Sequence, residues 1–189
     1  MSARHAKKPS VVGTTAKSKN FLMTVYDYAE SVLFAMLCLV LLFTFVFRVA
    51  GVVGGSMEPT LYTTERLLLT THFYEPAHGD IVVIDRYTQE PLIKRVIGVA
   101  GDTIRIDGMT GIVYRNGEAL VERYISGSTS PKEMQGEVTI PDGYIFVLGD
   151  NRGVSKDSRS QEIGLVDTED VVGKAVWRLW PIRRFGAVK

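Results

Sequence analysis

The chain has 189 residues, 46% of them hydrophobic, with 22 basic and 21 acidic side chains and a formal net charge of +1. This length allows one domain with an appendage, and the balanced charge argues against a nucleic-acid-binding protein or an acidic tail. The single cysteine, Cys38, excludes an internal disulfide. The three histidines are scattered, with no HExxH or CxxC spacing, so the sequence predicts no metal site and no cofactor.

Residues 1–27 are predicted to form a disordered cytoplasmic tail, because residues 1–20 are rich in Lys, Ser, Thr and Ala. Basic residues are unevenly distributed around the apolar run that follows. Those before it are Arg4, Lys7, Lys8, Lys17 and Lys19, and those in the twenty residues after Phe47 are Arg48 and Arg66. The positive-inside rule therefore places the N-terminus in the cytoplasm and the rest of the chain outside it.

Residues 28–50 are predicted to form a transmembrane anchor. No charge occurs from Ser31 to Phe47, a length near the short end of what spans a bilayer, and a snorkelling Arg48 could extend it. A buried core helix is one alternative, but such a helix is normally amphipathic. A cleaved signal peptide is another, but the leader of about thirty residues is longer than usual. We therefore predict an uncleaved single-pass anchor in the cell membrane.

Residues 51–189 are predicted to form an extracytoplasmic, mainly β domain with a folded or barrel-like antiparallel sheet. Short β-rich runs separated by turn residues recur at 66–71, 80–85, 91–99, 102–107, 111–115, 137–140, 144–148 and 171–180. The continuous apolar runs IVVI and YIFVL indicate strands buried on both faces. Asn116-Gly117 and Asp142-Gly143 predict tight turns. A short insert covers about 103–140, and its polar residues 122–137 predict an exposed loop.

One stretch just after the apolar run raises the question of catalysis: GGSMEPTL, residues 54–61. If Ser56 is a nucleophile, another group must take its proton. His72 and His78 are candidates for a Ser-His-Asp triad, but no carboxylate pattern singles out either. A lysine is the other candidate, provided that burial lowers its pKa from about 10.4.

The sequence LIKRVIGVAGD contains two candidate cations in one predicted strand. Alternation places Lys94 on the face of Leu92 and Val96, and Arg95 on the opposite face, which is also apolar. Alternation alone therefore does not choose between them. A third stretch, LGDNRGVSKDSR (148–159), follows a buried strand and is either a long polar turn or part of a site.

These stretches together closely resemble the bacterial type I signal peptidases, the leader peptidases that remove signal peptides from exported proteins. The matching segments are GGSMEPTL, GDIVVI (79–84), KRVIGVAGD (94–102), GDNRGVSKDSR (149–159) and GLVDTEDVVGKAVW (164–177). They occur in the family's order over most of residues 50–180. The short insert and single span resemble the smaller, Gram-positive-type enzymes.

The resemblance implies a role for each matching position. Ser56 matches the nucleophile, Lys94 the general base, and Ser155 a hydroxyl that orients the lysine amine. The charged positions that match the scaffold of the site are Arg95, Asp150, Asp157 and Arg159. The implied reaction is cleavage of preproteins after small residues, in the family's Ala-X-Ala pattern, through an acyl-enzyme. The implied partners are signal peptides of exported preproteins, membrane lipid and the secretion machinery.

Two positions depart from the family's pattern. Gly54 replaces a serine that in some members helps to form the oxyanion hole, so backbone N–H groups would have to serve there. Ala100 replaces the proline of the common PGD motif. Two rival readings are a self-cleaving cytosolic repressor, which would lack the apolar run, and an anchored β module that binds a partner without chemistry.

Overall fold

The computed structural model describes residues 13–45, 47–71, 74–85 and 90–188, and the chain divides into two units at residues 44 and 45. The described part of the first unit is a helix, α1 (Gly13–Phe45). Within it, Met23–Leu41 is long and apolar enough to cross a membrane, because nineteen residues rise by about 28 Å.

The helix begins at Gly13, inside the segment predicted as a tail, and residues 1–12 lie outside the described residues. Extending a helix costs less than nucleating one, and Ala, Lys, Leu and Met in this segment favour it. The helix ends at Phe45, inside the segment 28–50 predicted as an anchor, and the tail and the anchor stay predictions. Phe47–Gly51 forms a strand that pairs with Arg66–Thr70, because its β-favouring residues find an antiparallel partner there.

The second unit is mainly β, as predicted. Its strands are β1 (Phe47–Gly51), β2 (Arg66–Thr70), β3 (Ile81–Ile84), β4 (Leu92–Gly98), β5 (Thr103–Ile106), β6 (Val113–Arg115), β7 (Glu118–Ala119), β8 (Glu137–Thr139), β9 (Tyr144–Leu148), β10 (Val166–Asp167), β11 (Val171–Trp180) and β12 (Gly186–Ala187). Single 3₁₀ turns cover Thr168–Asp170 and Ile182–Arg184.

The strands form two antiparallel sheets. The larger is curled and has the order β1-β2-β11-β3-β4-β9-β10, with β12 beside β11. The smaller, in the order β7-β6-β5-β8, is built from the predicted insert. Asn116 and Gly117, with φ of 54° and 81°, form the predicted tight turn between β6 and β7.

Burial on both faces of the central strands fixes the register of the larger sheet. In β3, Ile81 and Val83 pack into one apolar cluster, and Val82 and Ile84 into a second on the other face. In the same way, β9 packs into the second cluster and into a third, which it shares with the smaller sheet. A shift of either strand by one residue would turn each of these side chains to the opposite face of the sheet. The register in which β3 and β9 pair with β4, the strand between them, is therefore strongly specified.

Candidate active site

The segment that carries Ser56 is a turn held by the core and by one asparagine. Met57 and Leu61 are fully buried, and the Leu61 N–H donates to the Met57 carbonyl at 2.8 Å. Asn151 donates from its backbone N–H to the Ser56 carbonyl at 3.0 Å and from its side chain to the Gly55 carbonyl at 3.1 Å. The backbone of Ser56 is therefore fixed while its hydroxyl stays available for contact.

Lys94 reaches this turn from the centre of β4. Its Nζ donates to Ser56 Oγ at 2.9 Å and to the Ile93 carbonyl at 2.9 Å. Only 2% of Lys94 is exposed. Burial is the largest influence on the amine and lowers the pKa of Lys94 to about 8, although the carboxylates of Asp157 and Asp150 act to raise it. Once the amine is neutral, its lone pair can accept the proton of the Ser56 hydroxyl over the same distance.

Arg95, the next residue, turns to the other face and forms a two-bond ion pair. Its guanidinium donates to the two oxygens of Asp150 at 2.9 and 2.7 Å and to the Gly79 carbonyl at 2.9 Å. Both side chains of the pair are buried, and the hydroxyl of Thr60 also donates to Asp150. This pair ties β4 to the end of β9, where the segment 149–159 begins.

A second buried ion pair lies at the far end of the segment 149–159. Arg159 donates to the two oxygens of Asp157 at 2.8 Å each. Burial alone would raise the pKa of the Asp157 carboxyl, but the hydrogen bonds and charge of Arg159 hold it below its ordinary value. Asp157 also accepts from the Gly149 N–H at 3.1 Å, so the segment folds back on its own beginning.

Ser155 lies within this fold and is completely buried. Its hydroxyl does not hydrogen-bond to the Lys94 amine here, although it lies close enough to the Asp157 carboxyl to help lower the pKa of that group. Ser155 is nevertheless near the reacting groups. A β-carbon added to Gly149 would lie 2.2 Å from Ser155 Oγ and 2.5 Å from the Ser56 carbonyl oxygen.

Gly54 has a φ of 80°, in the left-handed region where a side chain is strained. This conformation gives a physical reason for glycine at the position where some relatives were expected to carry serine. Any oxyanion donor here must come from another group.

A groove of about 390 Å³ is lined mostly by residues of β1, β2, β3, β4 and β11, and neither Ser56 nor Lys94 is among them. Its lining includes Val53, three residues before Ser56, and Ile93, the residue before Lys94. The other apolar side chains of the lining are Val49, Ala50, Leu69, Val83, Pro91 and Val172. Three charged residues, Arg48, Asp85 and Glu90, also line the groove.

The histidines do not form a catalytic triad in the described structure. His78 Nε2 lies 2.6 Å from an oxygen of Asp102, which also accepts from the Val99 N–H and the Asn116 side chain. His72 lies outside the described residues. Among the residues that are described, no group of three His, Cys, Asp or Glu side chains is arranged to hold a metal ion.

Sequence reasoning missed the structural parts played by Gly149, Asn151 and Arg152. All three lie in the matched GDNRG stretch, but their partners are distant in sequence, so spacing alone gave no sign of their contacts. Arg152 is 1% exposed and donates to the carboxylate of Glu122, thirty residues away.

Comparison with known proteins places these features in a family. The chain matches the family model described as signal peptidase, peptidase S26, over residues 25–180. It is 33% identical to signal peptidase I of Bacillus licheniformis over 89% of this chain and 95% of that protein. It is also 33% identical to signal peptidase I T of Bacillus subtilis (strain 168), over 93% of this chain and 94% of the relative.

A probable signal peptidase I-2 of a Synechocystis species is 34% identical over 94% of this chain and 84% of its own length. Among solved structures, a signal peptidase I from Enterococcus faecalis V583 is 29% identical, with a TM-score of 0.45. That match covers 55% of this chain and 98% of the solved chain.

Proposed function

Because this chain belongs to the signal peptidase family, peptidase S26, it is a serine endopeptidase that removes signal peptides, and we propose that it does so with a Ser56–Lys94 dyad. The observation that carries the proposal is the 2.9 Å contact between Lys94 Nζ and Ser56 Oγ, made by a lysine that is 2% exposed. A solvated surface lysine would stay protonated and could not serve as a base near neutral pH.

In the proposed reaction the neutral amine of Lys94 takes the hydroxyl proton of Ser56. The Ser56 oxygen then forms a bond to the scissile carbonyl carbon, and the carbonyl π electrons move to its oxygen. Collapse of this intermediate breaks the C–N bond, and the Lys94 ammonium returns the proton to the leaving amine. Lys94 then takes a proton from water as the water oxygen bonds to the ester carbon; collapse breaks the bond from that carbon to Ser56 Oγ, Lys94 returns the proton to Oγ, and the signal peptide is released with a new carboxylate.

Backbone N–H groups of the turn at Ser56 are proposed to stabilise the oxyanion, since Gly54 offers no hydroxyl. Asn151 supports this role, because it holds the carbonyls of Gly55 and Ser56 and so fixes the neighbouring N–H groups. The buried pairs of Arg95 with Asp150 and Arg159 with Asp157 are proposed as the scaffold that keeps the segment 149–159 against this turn. Ser155 is proposed to orient the Lys94 amine when substrate is bound.

The proposed substrate is a preprotein cut after a small residue in an Ala-X-Ala pattern. The apolar groove supports this proposal through its position in the chain, since Val53 lies three residues before Ser56 and Ile93 directly before Lys94, and its apolar walls could bind an extended signal peptide. We further propose that Met23–Leu41 anchors the protein in the membrane once, with the N-terminus cytoplasmic and residues 51–189 outside. Membrane lipid and the secretion machinery would then surround the enzyme.

The test is cleavage of a labelled preprotein by the purified full-length protein. The parent should release the signal peptide at a single site, and Ser56→Ala should abolish release without changing the thermal unfolding midpoint by more than a few degrees. Ser128→Ala is the matched control, because Ser128 is exposed and should leave the rate unchanged. Full activity of Ser56→Ala would overturn the proposed nucleophile.

A further inference from the structure

The loop of residues 122–132, here called the docked loop, is fixed to the catalytic segment by buried contacts. The fully buried guanidinium of Arg152 donates to the two carboxylate oxygens of Glu122 at 2.6 and 2.9 Å. The backbone N–H of Ser126 donates to the Asp150 carbonyl at 2.8 Å. The sequence predicted an exposed loop here, but these contacts hold it against the site.

Lys132 ends the docked loop, and its ammonium is directed to the catalytic segment. Its Nζ donates to the backbone carbonyl of Ser155. Its φ is 53°, a left-handed conformation that is uncommon for a residue other than glycine. Because the Ser155 side chain lies against the position of Gly149 and close to the Ser56 carbonyl, this contact brings a second ammonium near the dyad.

The effect of the Lys132 ammonium on Lys94 depends on the other charges around Lys94. Two carboxylates influence the charge of Lys94, those of Asp150 and Asp157. Each is locked into a two-bond pair with an arginine, Arg95 or Arg159, so the two pairs together carry no net charge. Both carboxylates nevertheless act to raise the pKa of Lys94, and the Lys132 ammonium is the charged group that opposes them.

The charged residues next to Lys132 and Ser155 in the chain have partners of their own. The Glu133 carboxylate accepts from the Gln161 N–H at 2.7 Å, and Lys156 pairs with Glu162. The contact of Lys132 among the described residues is to a carbonyl, which leaves its positive charge uncompensated by a carboxylate.

We propose that Lys132 is a positioning residue whose ammonium, held on the Ser155 carbonyl, favours the neutral base form of Lys94 by charge repulsion. The inference rests on the proposed Ser56–Lys94 dyad. Burial of Lys94 is the larger influence on its pKa, and the Lys132 charge lowers that pKa further, against the opposing effect of Asp157 and Asp150. Because Lys132 is exposed, solvent screens its charge, and its influence on Lys94 is smaller than that of burial or of either carboxylate.

The test is the pH dependence of kcat/KM for a signal-peptide substrate, measured on the full-length protein. Lys132→Met removes the charge and should move the ascending limb to higher pH by about half a unit. The rate at pH 7 should fall about threefold while the plateau at high pH stays the same. Lys132→Arg keeps the positive charge, so its ascending limb should lie at the same pH as that of the parent. Lys156→Met, which removes a cation already paired with Glu162, should leave the limb in place.

An unmoved limb in Lys132→Met overturns the inference, and so does an equal loss of rate at every pH, which would mean a structural role for the docked loop. A second measurement does not depend on activity. In a Ser56→Ala background, NMR titration of the Lys94 ε-methylene group should give a higher pKa when Lys132 is Met. If Lys94→Arg proves active, the dyad itself fails; if only the Lys132→Met shift is absent, the dyad stands and this inference fails.

Discussion

A β-carbon at Gly149 would lie 2.2 Å from Ser155 Oγ, closer than any two such atoms can approach. It would also lie 2.5 Å from the carbonyl oxygen of Ser56, which is backbone and cannot move aside cheaply. The absence of a side chain at Gly149 is therefore what allows the segment 149–159 to lie against the turn that carries Ser56.

Gly149→Ala should displace this segment and reduce cleavage by at least tenfold, with a loss of about 1–3 kcal/mol in the free energy of unfolding. Steady-state cleavage and urea unfolding measure the two effects. Gly153→Ala is the control in the same segment, because no atom lies within 4 Å of its added β-carbon. Equal behaviour of the two variants would contradict the packing described here.

Breaking the buried Arg95–Asp150 pair should destabilise the β unit. Asp150→Asn leaves Arg95 without a carboxylate partner and should cost about 3–5 kcal/mol in urea unfolding, because an uncompensated buried charge remains. Arg105→Lys is the control, since Arg105 and Asp107 are partly exposed and 4.0 Å apart, and it should cost less than about 1 kcal/mol. Similar costs for both substitutions would argue against a buried pair.

Lys94→Met should stabilise the protein at neutral pH while abolishing cleavage. The folded-state pKa of Lys94, about 8, lies below the unfolded value of about 10.4, so the folded state disfavours the ammonium. At pH 7 Lys94 is protonated in both the folded and the unfolded state, so Lys94→Met should raise the free energy of unfolding by about 1–3 kcal/mol. That gain should shrink as the pH rises from 8 to 10.4, because the parent becomes neutral in the folded state first.

Unfolding measured at pH 7, 8.5 and 10 checks this trend. Lys156→Met, on an exposed lysine, should show no such dependence. A pH-independent gain for Lys94→Met would mean that Lys94 is not held with a lowered pKa.

The orientation in the membrane can be tested by protease accessibility. The basic residues before the apolar run predict a cytoplasmic N-terminus, so protease added to intact spheroplasts should degrade residues 51–189 and spare an N-terminal tag. Opening the spheroplasts before digestion is the control and should expose the tag as well. Protection of the β unit in intact spheroplasts would reverse the proposed topology.

The strands of the larger sheet could be predicted because alternation and turn residues are local properties. IVVI is buried on both faces as its composition indicates, and Asn116-Gly117 forms the turn that this dipeptide favours. β1 could not be predicted in this way. Phe47–Gly51 continues an apolar run in the sequence, and it becomes a strand because Arg66–Thr70 pairs with it.

The choice between Lys94 and Arg95 also depended on tertiary contacts. Both side chains are buried, so the pattern of apolar neighbours could not separate them. The planar guanidinium of Arg95 donates to both oxygens of Asp150, whereas the Lys94 amine donates to the hydroxyl oxygen of Ser56. Only the folded chain brings Asp150 and Ser56 to opposite faces of the same strand.

The central claim is that Lys94 is the base for Ser56, and the pH profile of cleavage by Lys94 variants tests it most directly. The parent should show an ascending limb near pH 8, set by deprotonation of the Lys94 amine. Lys94→Arg should be inactive throughout, because a guanidinium stays protonated at any working pH. His78→Gln, the control, should keep the parent profile, because His78 pairs with Asp102 and not with Ser56. Cleavage by Lys94→Arg near the parent rate, or loss of the limb in His78→Gln, would contradict the dyad.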